Sequence, residues 1–263
     1  MKKFIFLFLI LFITSLTTNL NSKDKPQNIS SIHVSLGIPI DNDSTDDYLI
    51  FRPQYVLSYN KNKNVANWVA WELNADWFGS VARYKGNFIT DTSLPTNFYK
   101  VKHSDYTNSG FDRGHLVMSE ERTATVEDNK STFILSNIIP QIPDLNRGLW
   151  LNFEKFCNNL ALNQNKELFI FAGAVFHTSN FMNGKIAIPD SCWKIVVVLE
   201  KDEGINDVNV NTTVYSVMIP NINGVRHDKW EKYKTTIRRI ESSTGYNFLN
   251  AVSVDVQNVI ENK

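Results

Sequence analysis

The sequence contains little cysteine and no excess of charge of either sign. Cys157 and Cys192 are the only cysteines among 263 residues. They could pair in an exported protein, and two unpaired thiols in the core fit at least as well, because spacing alone does not establish a disulfide. Basic and acidic residues each number 27, for a formal net charge of zero. Many nonspecific nucleic-acid binders carry a basic excess, so any affinity for phosphate has to be local.

Internal repeats, low-complexity tracts and strong interior linkers are also absent. The chain after residue 22 therefore fits one domain, or two small ones. Hydrophobic residues make up 43% of the sequence and aromatic residues 12%, which is ample for a packed core. We expect residues 23–48 to form a polar lead-in ahead of the folded domain.

A long apolar run occurs once, at the N-terminus. Lys2 and Lys3 precede the apolar residues 4–13, and a polar stretch follows. A charged region before a short apolar region is typical of a secretory signal, and the run is shorter than the roughly 20 apolar residues of a membrane span. We expect residues 1–22 to be a signal peptide, or alternatively a retained anchor. The protein is then exported to the medium, periplasm or cell surface, with no stable membrane partner beyond this leader.

The hydrophobic pattern of the remaining chain alternates between strand-like runs and a few helices. Runs of β-branched and aromatic residues predict strands at 49–59, 65–73, 133–139, 168–175, 193–199 and 213–219, with a turn at 60–64 and an irregular loop at 86–110. Trp230, Tyr233, Ile237 and Ile240 recur on one face of a helix, which Gly245 would end. This pattern predicts an α+β sandwich.

Residues 110–116, Gly-Phe-Asp-Arg-Gly-His-Leu, group an acid, a base, two glycines and an imidazole within a predicted loop. His115 is the candidate general base, because an unperturbed imidazole has a pKa of about 6.5. Arg113 supplies a fork of donors that matches a phosphate. Gly114 allows a close approach of the backbone to a ligand or a positive φ, and Asp112 could pair with Arg113 or orient an imidazole. The alternative is a solvated turn with an incidental histidine.

A second group of polar residues lies on a predicted helix. Leu149, Phe153, Phe156 and Leu160 are spaced for one face of a helix over residues 145–162, with Asp144 as its N-cap. Asn146 and Glu154 share one side of it, about 12 Å apart along the axis. This separation favours Asn146 as the direct ligand of a small cation and Glu154 acting through surrounding water, which suits Mg²⁺. The alternatives are a second cap residue and a solvated carboxylate, and Asn137 could simply satisfy backbone at a strand end.

Taken together, these segments resemble the DNA/RNA non-specific endonuclease family, the ββα-metal group that includes secreted bacterial nucleases and mitochondrial endonuclease G. The resemblance spans roughly residues 55–248. It rests on residues 110–115, 132–133, 136–141, 144–146, Trp150 and Glu154, with weaker agreement at 67–70, 189–194, 240–241 and 244–245. It implies a central, mostly antiparallel sheet flanked by helices, and an endonuclease domain over residues 49–255.

The resemblance also implies a role for each residue of the site. His115 would take a proton from the attacking water, and Asn146 would hold a single Mg²⁺ ion, for which Mn²⁺ could substitute. Glu154 would orient the water around that ion, Asn137 would steady the site, and Arg113 would contact the phosphate. DNA and RNA would both be substrates, cleaved with little sequence preference to 5′-phosphate and 3′-hydroxyl ends.

One position departs from the family pattern. Family members often carry an arginine one turn after the helix glutamate, and that position is Asn158 here. Arg147, next to Asn146, or Arg83 and Lys85 could supply the missing charge to the substrate. The alternative to an active enzyme is a catalytically weak nuclease fold that binds nucleic acid or a protein partner. The protein could also form a homodimer.

Overall fold

A six-stranded antiparallel sheet forms the centre of the structure, a computed structural model that describes residues 31–177 and 179–263. The strands are β1 (Tyr48–Phe51), β2 (Val56–Asn60), β3 (Val65–Leu73), β4 (Asp112–His115), β5 (Ile138–Gln141), β6 (Lys166–Val175), β7 (Phe181–Met182), β8 (Ile186–Ala187), β9 (Ser191–Glu200) and β10 (Thr213–Pro220). The main sheet has the order β1-β2-β3-β6-β9-β10, and β4-β5 and β7-β8 are separate antiparallel ribbons.

The helices are mostly short. They are α1 (Val126–Ser131), α2 (Leu151–Asn163), α3 (Ile237–Thr244) and α4 (Val254–Ile260), and a π-helical segment, Leu145–Trp150, runs directly into α2. Single 3₁₀ turns lie at Ile32–Val34, Ser44–Asp46, Ala75–Trp77, His103–Tyr106, Ser119–Glu121, Leu135–Asn137, Ile205–Asp207 and Trp230–Tyr233. Within residues 31–177 and 179–263, no helix is long and apolar enough to cross a membrane. The predicted leader, residues 1–22, lies outside the described residues.

Both faces of the main sheet are buried, because successive side chains of a strand point to opposite faces. On β6, Leu168 and Ile170 belong to one hydrophobic cluster, while Phe169 and Phe171 belong to another. The first cluster also contains the inner side chains of α2, and the second contains those of α3 and α4. The predicted α+β fold with a mostly antiparallel sheet is therefore confirmed, and the sheet separates two layers.

Three of the predicted strands agree closely with β6, β9 and β10, and the predicted strand 65–73 is β3. The strand predicted over 49–59 is instead two strands. Pro53 has no backbone N–H for a ladder, and the Arg52 N–H donates to the Tyr55 carbonyl at 2.9 Å, so the chain turns between β1 and β2. The strand predicted over 133–139 was also wrong in its first half, because a 3₁₀ turn precedes β5.

The single helix predicted through residues 230–240 is wrong. A 3₁₀ turn ends at Tyr233, and the Lys234 backbone forms an antiparallel bridge with Val217 on the edge strand β10. α3 begins only after Thr236, whose side chain accepts a hydrogen bond from the Arg239 N–H. The chain therefore crosses the sheet edge, so that its two halves pack on opposite layers. The predicted stop at Gly245 is confirmed, with φ of 85° and an N–H bonded to the Glu241 carbonyl.

The packed region extends beyond residues 49–255 at both ends. Val34 and Leu36 are buried in the second cluster, within the interval that the sequence suggested was a lead-in. His33 is buried as well, and its ring bonds to the Pro53 carbonyl. At the other end, α4 continues past residue 255, and Ile260 is fully buried.

Candidate active site

The Asp-Arg-Gly-His motif is a strand, β4, whereas the sequence suggested a loop. It pairs with β5, so that Asp112 lies opposite Gln141 and His115 opposite Ile138. Gly114 does not have a positive φ. A Cβ at this position would instead overlap the buried Gln141 side chain. The glycine is therefore required by the packing of the ribbon.

The ribbon and the helix that follows it enclose a cavity of about 230 Å³. Its lining residues are Arg83, Arg113, His115, Met118, Ser119, Asn146, Arg147, Leu151 and Glu154. Five of the six predicted site residues thus meet in one place, and Asn137 does not line the cavity. A larger cavity, of about 640 Å³, lies around Pro53 and Ile134, and its walls are mainly apolar and contain no histidine.

His115 is positioned by aromatic packing. Its ring centroid lies 5.3 Å from that of Phe88 and 5.0 Å from that of Phe133, the latter edge-on. Burial, together with the positive charge of Arg83, lowers the pKa of His115 to about 3. Its Nε2 atom has no hydrogen-bond partner among the described residues. The imidazole is therefore neutral near pH 7, and its Nε2 atom is buried without a partner.

Asn146 lies in the π-helical segment, where side chains do not follow the α-helical period. Its amide nitrogen donates to Asp112 at 2.9 Å, and its amide oxygen has no hydrogen-bond donor among the described residues. Arg147 donates to the same carboxylate at 2.7 and 2.5 Å. Burial alone would raise the pKa of Asp112, but the hydrogen bonds from Arg147 and Asn146 lower it. Asp112 thus remains a carboxylate that orients Asn146 and tethers Arg147.

The predicted N-cap of this helix, Asp144, does not cap it. Asp144 has helical backbone angles and makes no capping bond. Its carboxylate accepts from the Gly224 N–H at 2.9 Å and from Arg226 at 3.1 Å, which ties the helix start to a distant loop. The helix itself is confirmed over the predicted residues, with its first turn wider than expected.

Glu154 is buried at the floor of the cavity with a cationic partner. The Lys194 ammonium lies 3.4 Å from its Oε1 atom, and both side chains are almost entirely inaccessible to solvent. Burial raises the pKa of Glu154 to about 7, against the opposing effect of Lys194, and Glu121 raises it further. The sequence did not point to Lys194, although a lysine within a strand of buried residues is itself an unusual signal.

Asn137 lies beneath the site and not in it. Its side chain accepts from the Val117 N–H at 3.0 Å and donates to the carbonyls of Val117 and Thr132 at 3.0 and 2.9 Å. The Asn137 backbone carbonyl also accepts from the Leu116 N–H at 3.0 Å. These contacts fix the two residues that follow His115.

Arginines surround the cavity despite the absence of one at position 158. Arg83 donates to the Ser119 hydroxyl and stacks over Phe133, 4.8 Å from the ring centroid. Arg113 donates to the His103 carbonyl at 2.8 Å, while its Nε atom is buried without a partner. Asn158 itself packs against Met118, at 3.8 Å from the sulfur. Of the compensating residues considered from the sequence, Arg83 and Arg147 reach the cavity, and Lys85 is not among its lining residues.

The side chains at the cavity fit a hard divalent cation. The Asn146 amide oxygen and the Glu154 carboxylate are oxygen ligands of the kind that Mg²⁺ takes, and the cavity has room for the water that this ion retains. Asp41, Asp46 and Asp47 form an acidic cluster elsewhere in the described structure. The oxygens of Asp46 and Asp47 accept hydrogen bonds from Asn60, Asn67 and neighbouring hydroxyls, which gives those carboxylates a structural explanation.

Comparisons with known proteins point to one family. The sequence profile of the DNA/RNA non-specific endonuclease family matches residues 36–255. A protein named Nuclease from Nostoc sp. is 44% identical over 238 residues, covering 89% of this chain and 86% of its own length. Human mitochondrial endonuclease G is 28% identical over 211 residues, covering 75% and 68% respectively. A crystal structure of the EndoG/EndoGI complex has a TM-score of 0.71 at 23% identity, covering 84% of this chain and 91% of the matched chain, and supports the fold.

The family match and the named relatives, together with this α+β scaffold, identify the protein as an endonuclease. The chain belongs to the DNA/RNA non-specific endonuclease family. Members of this family act on nucleic acid and depend on a divalent metal.

Proposed function

We propose that this protein is a Mg²⁺-dependent, sugar-nonspecific endonuclease that leaves 5′-phosphate ends, with His115 as its general base. One observation carries the proposal. His115, whose imidazole is neutral and whose Nε2 atom is unpaired, lines the same cavity as Asn146. A base and an oxygen ligand on opposite elements of one small cavity are what hydrolysis of a phosphodiester requires.

His115 takes a proton from the attacking water in this scheme. The depressed pKa keeps the imidazole unprotonated over the whole physiological range. Binding of an anionic phosphate offsets the positive charge of Arg83, which raises the affinity of the imidazole for the proton it must accept. The Trp150 indole N–H donates to the His115 carbonyl at 3.3 Å, so the strand that carries the base is held by the helix that carries Asn146.

Asn146 would hold the metal ion, and Glu154 would orient water at the floor of the cavity. When bound, such an ion, for which we expect Mg²⁺ with Mn²⁺ as a substitute, would supply positive charge for the phosphate and the leaving oxygen. Arg83 and Arg113 bind the phosphate, and the largely exposed Arg147 adds further positive charge. Because these groups recognise the phosphate backbone, cleavage of both DNA and RNA with little sequence preference follows.

Digestion of plasmid and RNA tests the proposal. The protein is assayed with Mg²⁺ and with EDTA, beside His115→Ala. We expect metal-dependent loss of both substrates by the wild type alone, and end-labelling should show 5′-phosphates. Cleavage by His115→Ala at the wild-type rate would refute the assignment of the base. An unaltered Mg²⁺ titration in Asn146→Ala would refute its role as the ligand.

A catalytically weak nucleic-acid-binding module is the second candidate, and Asn158 is the observation that favours it. In an active enzyme, the arginines that line the cavity have to replace the positive charge that position 158 lacks. Retention of labelled DNA in a salt-dependent manner, without cleavage in any divalent metal, would support this candidate, since phosphate contacts weaken steeply with salt.

We also propose that the protein is exported. The support is Lys2 and Lys3 ahead of the apolar residues 4–13. Expression of the full chain in a bacterium, followed by fractionation and N-terminal sequencing, should yield a processed protein outside the cytoplasm that begins near residue 23. An unprocessed protein confined to the cytoplasm would contradict export.

A further inference from the structure

We propose that Lys194 is a positioning residue of the nuclease, which fixes the Glu154 carboxylate at the floor of the cavity and thereby supports metal binding without touching the substrate. The inference rests on the proposed function. Lys194 is in the middle of β9 and is fully buried, with no access to the cavity surface. Lys194 can therefore affect the site only through the residues that it contacts.

The ammonium of Lys194 is held in a cage of two indoles. Its Nζ atom lies 4.5 Å from the ring centroid of Trp150 and 5.2 Å from that of Trp71, and 3.4 Å from the Oε1 atom of Glu154. Cation–π contacts of this kind are strongest where water is excluded. The cage leaves the ammonium little freedom, so the carboxylate bound to it is equally restricted.

A second buried acid, Glu121, is bonded to one of these indoles. Glu121 is fully buried, accepts a hydrogen bond from the Trp71 indole at 2.9 Å, and interacts electrostatically with Lys194. Lys194 therefore interacts with two buried acids, Glu154 and Glu121. Burying such charges is costly, and apolar side chains of similar size at such positions often leave a protein equally stable or more stable. Stability alone thus gives no reason for a lysine at this position. The need to hold the Glu154 carboxylate in place at a metal site does give one.

The cage also reaches the strand of the general base. Trp150, which stacks on Lys194, donates its indole N–H to the His115 carbonyl. Arg83 interacts electrostatically with Glu154 from the cavity side. The cluster thus connects the floor of the site, its helix and its strand, and Lys194 is the group that all the buried members share.

A double-mutant cycle on the full chain tests this role. We compare wild type, Lys194→Met, Glu154→Gln and the double variant, measuring Mg²⁺ binding by calorimetry, kcat and KM on an oligonucleotide, and the melting temperature. Methionine keeps the packing against the indoles without the charge. Because outer-sphere partners of metal sites are worth about 10- to 100-fold, we expect Lys194→Met to weaken Mg²⁺ binding at least about tenfold. In the Glu154→Gln background the same substitution should change Mg²⁺ binding less than about twofold, since contacting residues are not additive.

Lys166→Met is the matched control, because Lys166 forms an exposed ion pair with Glu200 on the same sheet. It should leave Mg²⁺ binding and kcat unchanged. Equal losses from Lys194→Met in both backgrounds would overturn the proposal, because they would show that Lys194 does not act through Glu154. If Lys194→Met does not fold, the cycle is repeated with Lys194→Met/Glu121→Gln as the starting variant, and the same criterion applies. A wild type that neither binds Mg²⁺ nor cleaves would instead refute the proposed function itself.

Discussion

Replacing Asn137 with alanine tests whether this residue supports the site through its hydrogen bonds to the backbone or contacts the substrate itself. Its side chain makes three buried hydrogen bonds to backbone groups of Val117 and Thr132. Removing it leaves an N–H and two carbonyls short of a partner, at about 1 to 3 kcal/mol for each unsatisfied buried group. Taking the lower part of that range, we expect Asn137→Ala to lose about 4 kcal/mol of stability.

For a domain of this size, 1 kcal/mol corresponds to about 2 to 4 °C in melting temperature. Asn137→Ala should therefore melt about 8 to 16 °C below the wild type in scanning calorimetry. Asn163→Ala is the control, because Asn163 is exposed and its one side-chain contact is a 3.5 Å bond to Asn159. It should melt within about 2 °C of the wild type.

Activity is measured on the same samples, well below the melting transition. Asn137→Ala should cleave more slowly, because the Val117 backbone that follows His115 is no longer held. An inactive variant with the melting temperature of the wild type would refute this reasoning and place Asn137 in contact with the substrate.

Three further predictions follow from buried or cavity-lining groups. Gly114→Ala should destabilise the protein by about 1 to 3 kcal/mol in denaturant unfolding, and adding Gln141→Ala should recover most of that loss; no recovery would contradict the packing explanation for the glycine. Burial lowers the pKa of His33 to about 4. As the pH falls, the unfolded chain therefore binds a proton before the folded protein does, so the free energy of unfolding is highest above about pH 6.5 and is about 2 kcal/mol lower at pH 5. His33→Gln should remove this decrease. Arg83→Ala should lower kcat/KM about 100-fold, whereas Lys85→Ala, two residues away and exposed, should not change it.

The site residues could be predicted from the sequence where they lie within one short segment. His115 and Arg113 share a strand, and Asn146 and Glu154 share a helix, so local spacing alone grouped them into two pairs. The meeting of the two pairs in one cavity depends on the β4–β5 pairing, which brings the motif strand and the helix together.

Contacts between residues that are far apart in the sequence could not be predicted from local sequence patterns. Arg83 is brought to the cavity by stacking on Phe133 and by Ser119, each far from it in sequence. Lys194 reaches Glu154 through sheet packing, and nothing at the two positions specifies the partner. The π-helical turn at Leu145–Trp150 could not be predicted from an apolar spacing that fits an α-helix equally well.

The bridge between Lys234 and Val217 also bears on the behaviour of the protein at high concentration. An uncovered edge strand offers a row of free backbone groups to a second molecule and is a starting point for aggregation. Here the Thr235 N–H donates to the Ser216 carbonyl at 2.9 Å, so the chain itself occupies part of the β10 edge. The opposite edge, β1, is only four residues long. Both ends of the sheet are thus poor templates for intermolecular strand addition, which limits aggregation of a protein that carries little net charge.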